Sequence, residues 1–118
     1  MSSVAHYAIV VALEFEPAWL ALDRSERARH AALVLEIAAR HPNVSFRWFD
    51  ADALGHGYTD FALCECEDIE AYHFLWEELR DTPLFSVPYL RVRNVMLGIE
   101  RGYERYEAQH GQGRSAAR

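Results

Sequence analysis

Three side chains have the types needed for acid–base chemistry: His6, Asp60 and His30. His6 and Asp60 stand at the ends of two apolar runs. Their parity is that of Ala8, Val10 and Ala12 in one run and of Ala62 and Cys64 in the other. Central strands running the same way would bring both groups to one end of a sheet. A carboxylate there would hold the imidazole in one tautomer and make it a general base. A structural pair, or two separate solvent-facing groups, is the plainer reading of so small a constellation. His30 shares a helical face with Leu33, Val34 and Ile37, with Arg27 one turn earlier at its margin. Turned inward, His30 is a buried polar group that needs a partner, as acid, base or substrate donor, or as a satisfied core histidine. Tyr72 and Trp76, spaced i, i+4, can stack on a flat ring or fill the core. The catalytic candidates are therefore His6, His30 and Asp60, and the ligand-binding candidates Arg27, Tyr72 and Trp76.

Arg91 and Arg93 alternate with Leu90 and Val92 and so share a strand face. They suit neutralisation of a carboxylate or phenolate, or the blocking of an edge strand, and Arg47 has the same two readings. No metal or cofactor is expected. His6, His30, His41, His56 and His73 are scattered, no histidine is marked out as a haem ligand, and Cys64-x-Cys66 has no second pair at zinc spacing. Lysine is absent, which removes Schiff-base and P-loop lysine chemistry. Neither a nucleophile elbow nor a glycine-rich phosphate loop is present.

These groups need a scaffold, and 118 residues suffice for one domain that buries roughly two-thirds of its unfolded surface. The balance of 51% hydrophobic and 25% charged residues is that of a packed globule. A net charge of −6 with mixed acids and arginines argues against a nucleic-acid partner. No apolar stretch approaches the ~20 residues of a membrane span, and the first residues lack the charged start of a signal peptide. Two thiols so close along a strand do not reach disulfide geometry, so a reduced cytoplasmic protein is expected.

Hydrophobic periodicity predicts strands over Val4–Phe15, Val44–Phe49, Tyr58–Glu67 and Tyr89–Leu97. Asp23 followed by Glu26 starts a helix that runs to about Arg40, stopped by His41-Pro42-Asn43. Asp68 caps a second helix over Ile69–Arg80, Thr82–Pro88 is read as a loop, and a short last helix covers Ile99–Glu107. The order is that of an α+β, ferredoxin-like β-α-β-β-α-β sandwich: four antiparallel strands with both helices on one face. The domain is placed at 4–107, with 108–118 as a flexible polar tail. The first strand is apolar on both faces, so the helix-free face calls for a homodimer, sheet against sheet. Small residues on the central strands (Ala8, Val10, Ala12, Ala62, Cys64) opposite Tyr72 and Trp76 mean either interdigitated packing or a cleft for a small hydrophobic molecule.

The runs Glu16-Pro17-Ala18-Trp19-Leu20-Ala21-Leu22, Ser25-Glu26-Arg27, Phe49-Asp50-Ala51 and Gly102-Tyr103 resemble the darcynin family of small bacterial proteins. The longest matching run, Glu78-Leu79-Arg80-Asp81-Thr82-Pro83-Leu84-Phe85-Ser86-Val87-Pro88-Tyr89, is the most specific. The resemblance covers Ala5 to Tyr106 and implies no assigned activity. In outline the chain is also similar to dimeric α+β barrel proteins, which include cofactor-free monooxygenases, polyketide cyclases and haem-degrading enzymes. That likeness transfers no residue. Two functions follow as expectations. One is a cofactor-independent enzyme that cyclises, isomerises or oxygenates a small aromatic or polyketide-like molecule. The other is a non-catalytic ligand-binding or accessory protein, favoured by a filled interior with exposed apolar residues such as Phe74.

Overall fold

A computed structural model describes residues 4–110. Strand β1 (Tyr7–Phe15) buries Ile9, Val11 and Leu13 on alternate positions, as a half-covered strand must. Pro17 opens the one-turn helix α1 (Pro17–Leu20), its fixed φ suiting the first helical position. Helix α2 (Arg24–Ala39) begins at a capping box: the Glu26 N–H donates to Asp23 Oδ1 at 2.9 Å, and the Glu26 carboxylate accepts from the Asp23 N–H. The donated Glu26 N–H and the Ser25 hydroxyl hold the Asp23 carboxyl below its ordinary range. Strands β2 (Val44–Asp50) and β3 (Asp60–Cys66) form a hairpin whose connection places Gly57 at φ 87°, a conformation that favours glycine. Asp68 caps α3 (Ile69–Arg80), which buries Leu75 and Leu79.

The segment expected to be a loop contains a one-turn helix, α4 (Pro83–Ser86), again opened by a proline. Strand β4 (Leu90–Ile99) is longer than expected because Ile99 still pairs with Tyr7. Helix α5 (Gly102–His110) therefore starts three residues late, after Arg101 turns the chain at φ 50°. It takes in residues 108–110 of the expected tail; residues 111–118 lie outside the described residues.

The sheet order is β2-β3-β1-β4, antiparallel throughout, with α3 packed over β2 and β3 and α4 against β4. The fold class is the expected one, but one geometric premise is corrected. The central strands run antiparallel, with Tyr7 opposite Cys66 and Leu13 opposite Asp60. The helical crossover returns β2 along the direction of β1, and the hairpin then reverses β3. Residues directly opposite share a face. Ala62 and Cys64 therefore sit with Ile9 and Val11 under the helices, whereas Ala8, Val10 and Ala12 sit with Phe61 and Leu63 on the open face. The single small-residue face does not exist. Pairing between β1 and β4 is interrupted by a bulge: Ala12 pairs with Asn94 and Leu13 with Val92, leaving Arg93 as the extra residue.

The ends of the two long helices are latched by ion pairs. Glu78 on α3 receives His41 Nε2 at 2.8 Å and Arg40 Nη2 at 2.7 Å from the α2 terminus. The His41 hydrogen bond, supported by Arg40, holds the Glu78 carboxyl below its ordinary range. A depressed carboxyl stabilises the fold above the unfolded-state value and loses that contribution as pH falls through the folded one. The difference in Tm between the parent and Glu78→Gln should be open at neutral pH and close on acidification below the glutamate range. A calorimetric series in which the gap widens on acidification would contradict the latch.

Candidate functional site

The end of the sheet where β1 finishes and β3 begins carries an apolar cleft of about 370 Å³ between the strands and the helices. Its walls are Phe15 from β1, Trp19 from α1, and Ala31, Val34 and Leu35 from α2. Phe46 and Trp48 from β2 and Leu84 from α4 complete the apolar lining, and Asp60 is the single charged residue in it. Phe46 and Trp48 face inward together because they are two apart on one strand. The rings make a continuous surface: Phe15 stacks on Trp19 with centroids 4.6 Å apart, Phe15 and Trp48 are 6.3 Å apart, and Phe46 and Trp48 6.1 Å. The Thr59 N–H donates to the Leu13 carbonyl at 2.9 Å, and Thr59 Oγ1 accepts from the Phe15 N–H at 3.0 Å. These bonds lock Phe15 beside Asp60.

Asp60 is only 9% exposed. The Trp48 indole N–H donates to its Oδ2 at 2.9 Å, and among the described residues Oδ1 has no side-chain donor. A carboxylate in such surroundings needs hydrogen bonds, and Trp48 supplies one. Asp60 thus lines the cleft with one of its oxygens already engaged by Trp48.

The other residues expected at a site are dispersed. His6 lies at the opposite end of β1 from Asp60, half-exposed and 3.8 Å from Glu65, so the His6–Asp60 pairing is corrected. Antiparallel strands put the start of β1 beside the end of β3. His30 is half-buried between Trp19 and Tyr89, with ring centroids 5.8 and 5.2 Å away, and so adjoins the cleft wall. Arg27 lies on the stripe that continues through Ala31 and Leu35 but does not itself line the cleft; its Nε is buried and has no partner among the described residues. Tyr72 and Trp76 pack as core under α3, with Phe46 and Phe85 against Trp76, and do not line the cleft. Burial pushes the Tyr72 hydroxyl up to about 12. It also pushes the Cys64 thiol up to about 11 against a smaller lowering by the Trp76 indole. Both thiols are free and buried, the state of structural rather than nucleophilic cysteines. Arg91 and Arg93 pair with Glu14 and Glu16, and Arg47 lies over the Phe49 ring on the open face. Among the described residues no group of three or more His, Cys, Asp or Glu side chains could hold a metal ion.

Phe15, Trp19, Phe46, Trp48 and Leu84 were not singled out from the sequence. The usable signal was hairpin register: pairing Asp50 with Asp60 puts Trp48 and Asp60 on the same face, two residues apart.

A family model described as "Darcynin, domain of unknown function" matches residues 3–115. A Darcynin of Chromobacterium violaceum is 40% identical over 76 residues, covering 64% of this chain and 96% of that protein. Darcynin 1 of Acinetobacter baumannii is 34% identical over 90 residues, 75% of this chain and 100% of the relative. A chlorite dismutase from Candidatus Nitrospira defluvii, solved in complex with imidazole, superposes with a TM-score of 0.72 at 12% identity. That match covers 80% of this chain but 39% of the dismutase chain, and at this identity it shows the fold alone.

If Trp48 is what satisfies Asp60, Trp48→Phe should cost about 1–3 kcal/mol in urea unfolding, the usual toll of an orphaned buried acceptor. Asp60→Asn in the same background should recover part of that loss; two independent, additive losses would argue against the pairing.

Proposed function

The chain belongs to the darcynin family, and we propose that it takes up a small, flat hydrophobic molecule in the cleft beside Asp60. The observation that carries this reading is one charged oxygen in a wall otherwise made of aromatic and aliphatic side chains. Small-molecule sites have this character: an apolar body for affinity and few polar groups for orientation. The preferred ligand has an aromatic or polyketide-like ring and one hydroxyl or amine donor for Asp60 Oδ1.

A catalytic version of this reading is supported by the same oxygen. A carboxylate inside an apolar cleft can take a proton from a bound hydroxyl or an activated carbon, as cofactor-independent cyclisation, isomerisation or oxygenation requires. His30 stands at the wall as a second proton-handling group, whereas His6 is too remote to join it. In the alternative reading the protein holds its ligand without turning it over.

The proposal includes a homodimer. The open face presents Val10, Ala12, Phe61, Leu63 and Met96, the last 59% exposed, and a second copy of the sheet would cover them. The two buried free thiols favour a reducing, cytoplasmic setting, and no described helix is long and apolar enough to cross a membrane.

Naphthol, a flat apolar ring with one donor, is a suitable probe for calorimetric titration. Wild-type protein should bind it, Ala31→Trp at the exposed rim should block entry, and Asp60→Asn should weaken binding about tenfold. Binding indifferent to both substitutions would place the ligand elsewhere. If a turned-over substrate is found, Asp60→Asn should retain binding and lose turnover; full activity would leave binding alone. Sedimentation at micromolar concentration should show two chains per particle, and Met96→Glu should give one. A wild-type monomer would remove the dimer.

A further inference from the structure

The charge that lines the apolar cleft is of one sign only. Asp60 is the single charged residue in the lining; Arg27 and His30 stand outside it, and lysine is absent from the chain. The ion pairs found among the described residues all use glutamates, so Asp60 has no basic partner there. The Trp48 indole answers one of its oxygens at 2.9 Å but brings no positive charge. A buried carboxylate held by a neutral donor keeps its charge uncompensated, and an apolar wall screens that charge far less than water does.

The adjoining hairpin adds to the same sign. Asp50 lies directly opposite Asp60 in the register of β2 and β3, and Asp52 follows two residues on. The Asp52 carboxyl is held above its ordinary range by a hydrogen bond with Asp50 and by the charge of Asp50, with the charge of Asp60 adding to both. The three acids therefore share one end of the sheet, and they do not form a group that could hold a metal ion. The cleft wall beside them is aromatic. Trp19, Phe15, Trp48 and Phe46 are neighbours in that order, each ring tilted against the next by 28°, 47° and 42°. Rings so tilted point their faces in more than one direction. An aromatic face is the negative side of its ring, and it attracts a cation within about 6 Å of the centroid.

We infer that the ligand of this cleft is an organic cation: a hydrophobic amine in its protonated form, with its ammonium group beside Asp60 and its apolar body against the aromatic wall. The inference rests on the cleft reading above and adds the sign of the occupant's charge. A neutral ligand would leave Asp60 uncompensated, and a carboxylate would be repelled by it. An ammonium group brings both the donor that a carboxylate accepts and the positive charge that Trp48 lacks. Asp50 and Asp52 draw the same sign of charge toward this end of the sheet, as does the net charge of −6 at longer range.

The test compares naphthylmethylamine, which is protonated at neutral pH, with naphthylmethanol, by calorimetric titration of the whole protein. The two probes have nearly equal shape and each carries a donor, so they differ in charge alone. Wild-type protein should prefer the amine by about tenfold or more, the margin of a charge-assisted over a neutral hydrogen bond. Asp60→Asn should weaken both probes and bring their affinities together. The exposed pair Asp50→Asn and Asp52→Asn, which leaves the cleft wall intact, should reduce the preference about threefold at low salt and leave the alcohol's affinity unchanged. Equal affinity for the two probes in the wild type, a preference that survives Asp60→Asn, or one untouched by the outer pair would overturn the cation assignment while the cleft reading stands. Failure of both probes to bind, with naphthol also inert, would remove the cleft reading and this inference with it.

Discussion

A carboxylate set into an apolar wall is tolerated only where hydrogen bonds replace the water it has lost, and the Trp48–Asp60 contact at 2.9 Å is that replacement. Much of the candidate site's geometry follows from it. Trp48 must turn inward to reach Asp60, which brings Phe46 in on the same strand face. Asp60 must begin β3 opposite Leu13, which sets the neighbouring Thr59 where it can bind the Phe15 N–H. Phe15 then carries Trp19 with it by stacking. One hydrogen bond between adjacent strands thus orients five aromatic or charged side chains drawn from three strands and a one-turn helix.

The sheet divides the molecule's work between its two sides. Under the helices, Ile9, Leu13, Leu75, Leu79 and Leu90 are wholly or almost wholly excluded from water and give the domain its core. The packing is dense beneath α3, where Tyr72 and Trp76 fill the space, and loosens toward α1 and α2, where the cleft lies. Leu35 is 64% exposed at its rim. The other side of the sheet is apolar along its centre and bordered by the Glu14, Arg91 and Arg93 ion pairs. Paired charges at the border and uncharged side chains between them are what the proposed second copy would meet.

Much of this was legible before any coordinates. Asp23 and Glu26 marked the start of α2, and the β-branched runs marked all four strands, because these signals are local and depend on backbone hydrogen bonding within a few residues. What failed was non-local. Parity along one strand says which residues face the same way, but not which way the neighbouring strand runs. Taking β1 and β3 as parallel put His6 next to Asp60 and merged Ala8 with Ala62; the antiparallel register separates both pairs. Tyr72 and Trp76 had the right spacing for an aromatic platform, yet that spacing equally suits core, and Phe46 and Phe85 settle on them. Arg27 was placed at the margin of its helix face and read as a ligand-binding candidate. That its buried Nε has no partner among the described residues is a property of three-dimensional surroundings, which no helical wheel contains.

The irregularity at Arg93 has a further implication for how the last strand is counted. Before it, Leu90 and Val92 lie opposite Phe15 and Leu13; after it, Val95 and Leu97 lie opposite Val11 and Ile9, so both halves present their aliphatic residues to the same side. Strict alternation from Val92 would have sent Val95 and Leu97 the other way. The supernumerary position acts as a phase correction, joining two segments whose rhythms would otherwise disagree. A strand that kept Arg93 but paired it regularly would exchange the two sides of everything from Asn94 to Ile99, whereas one lacking it would run on in unbroken register.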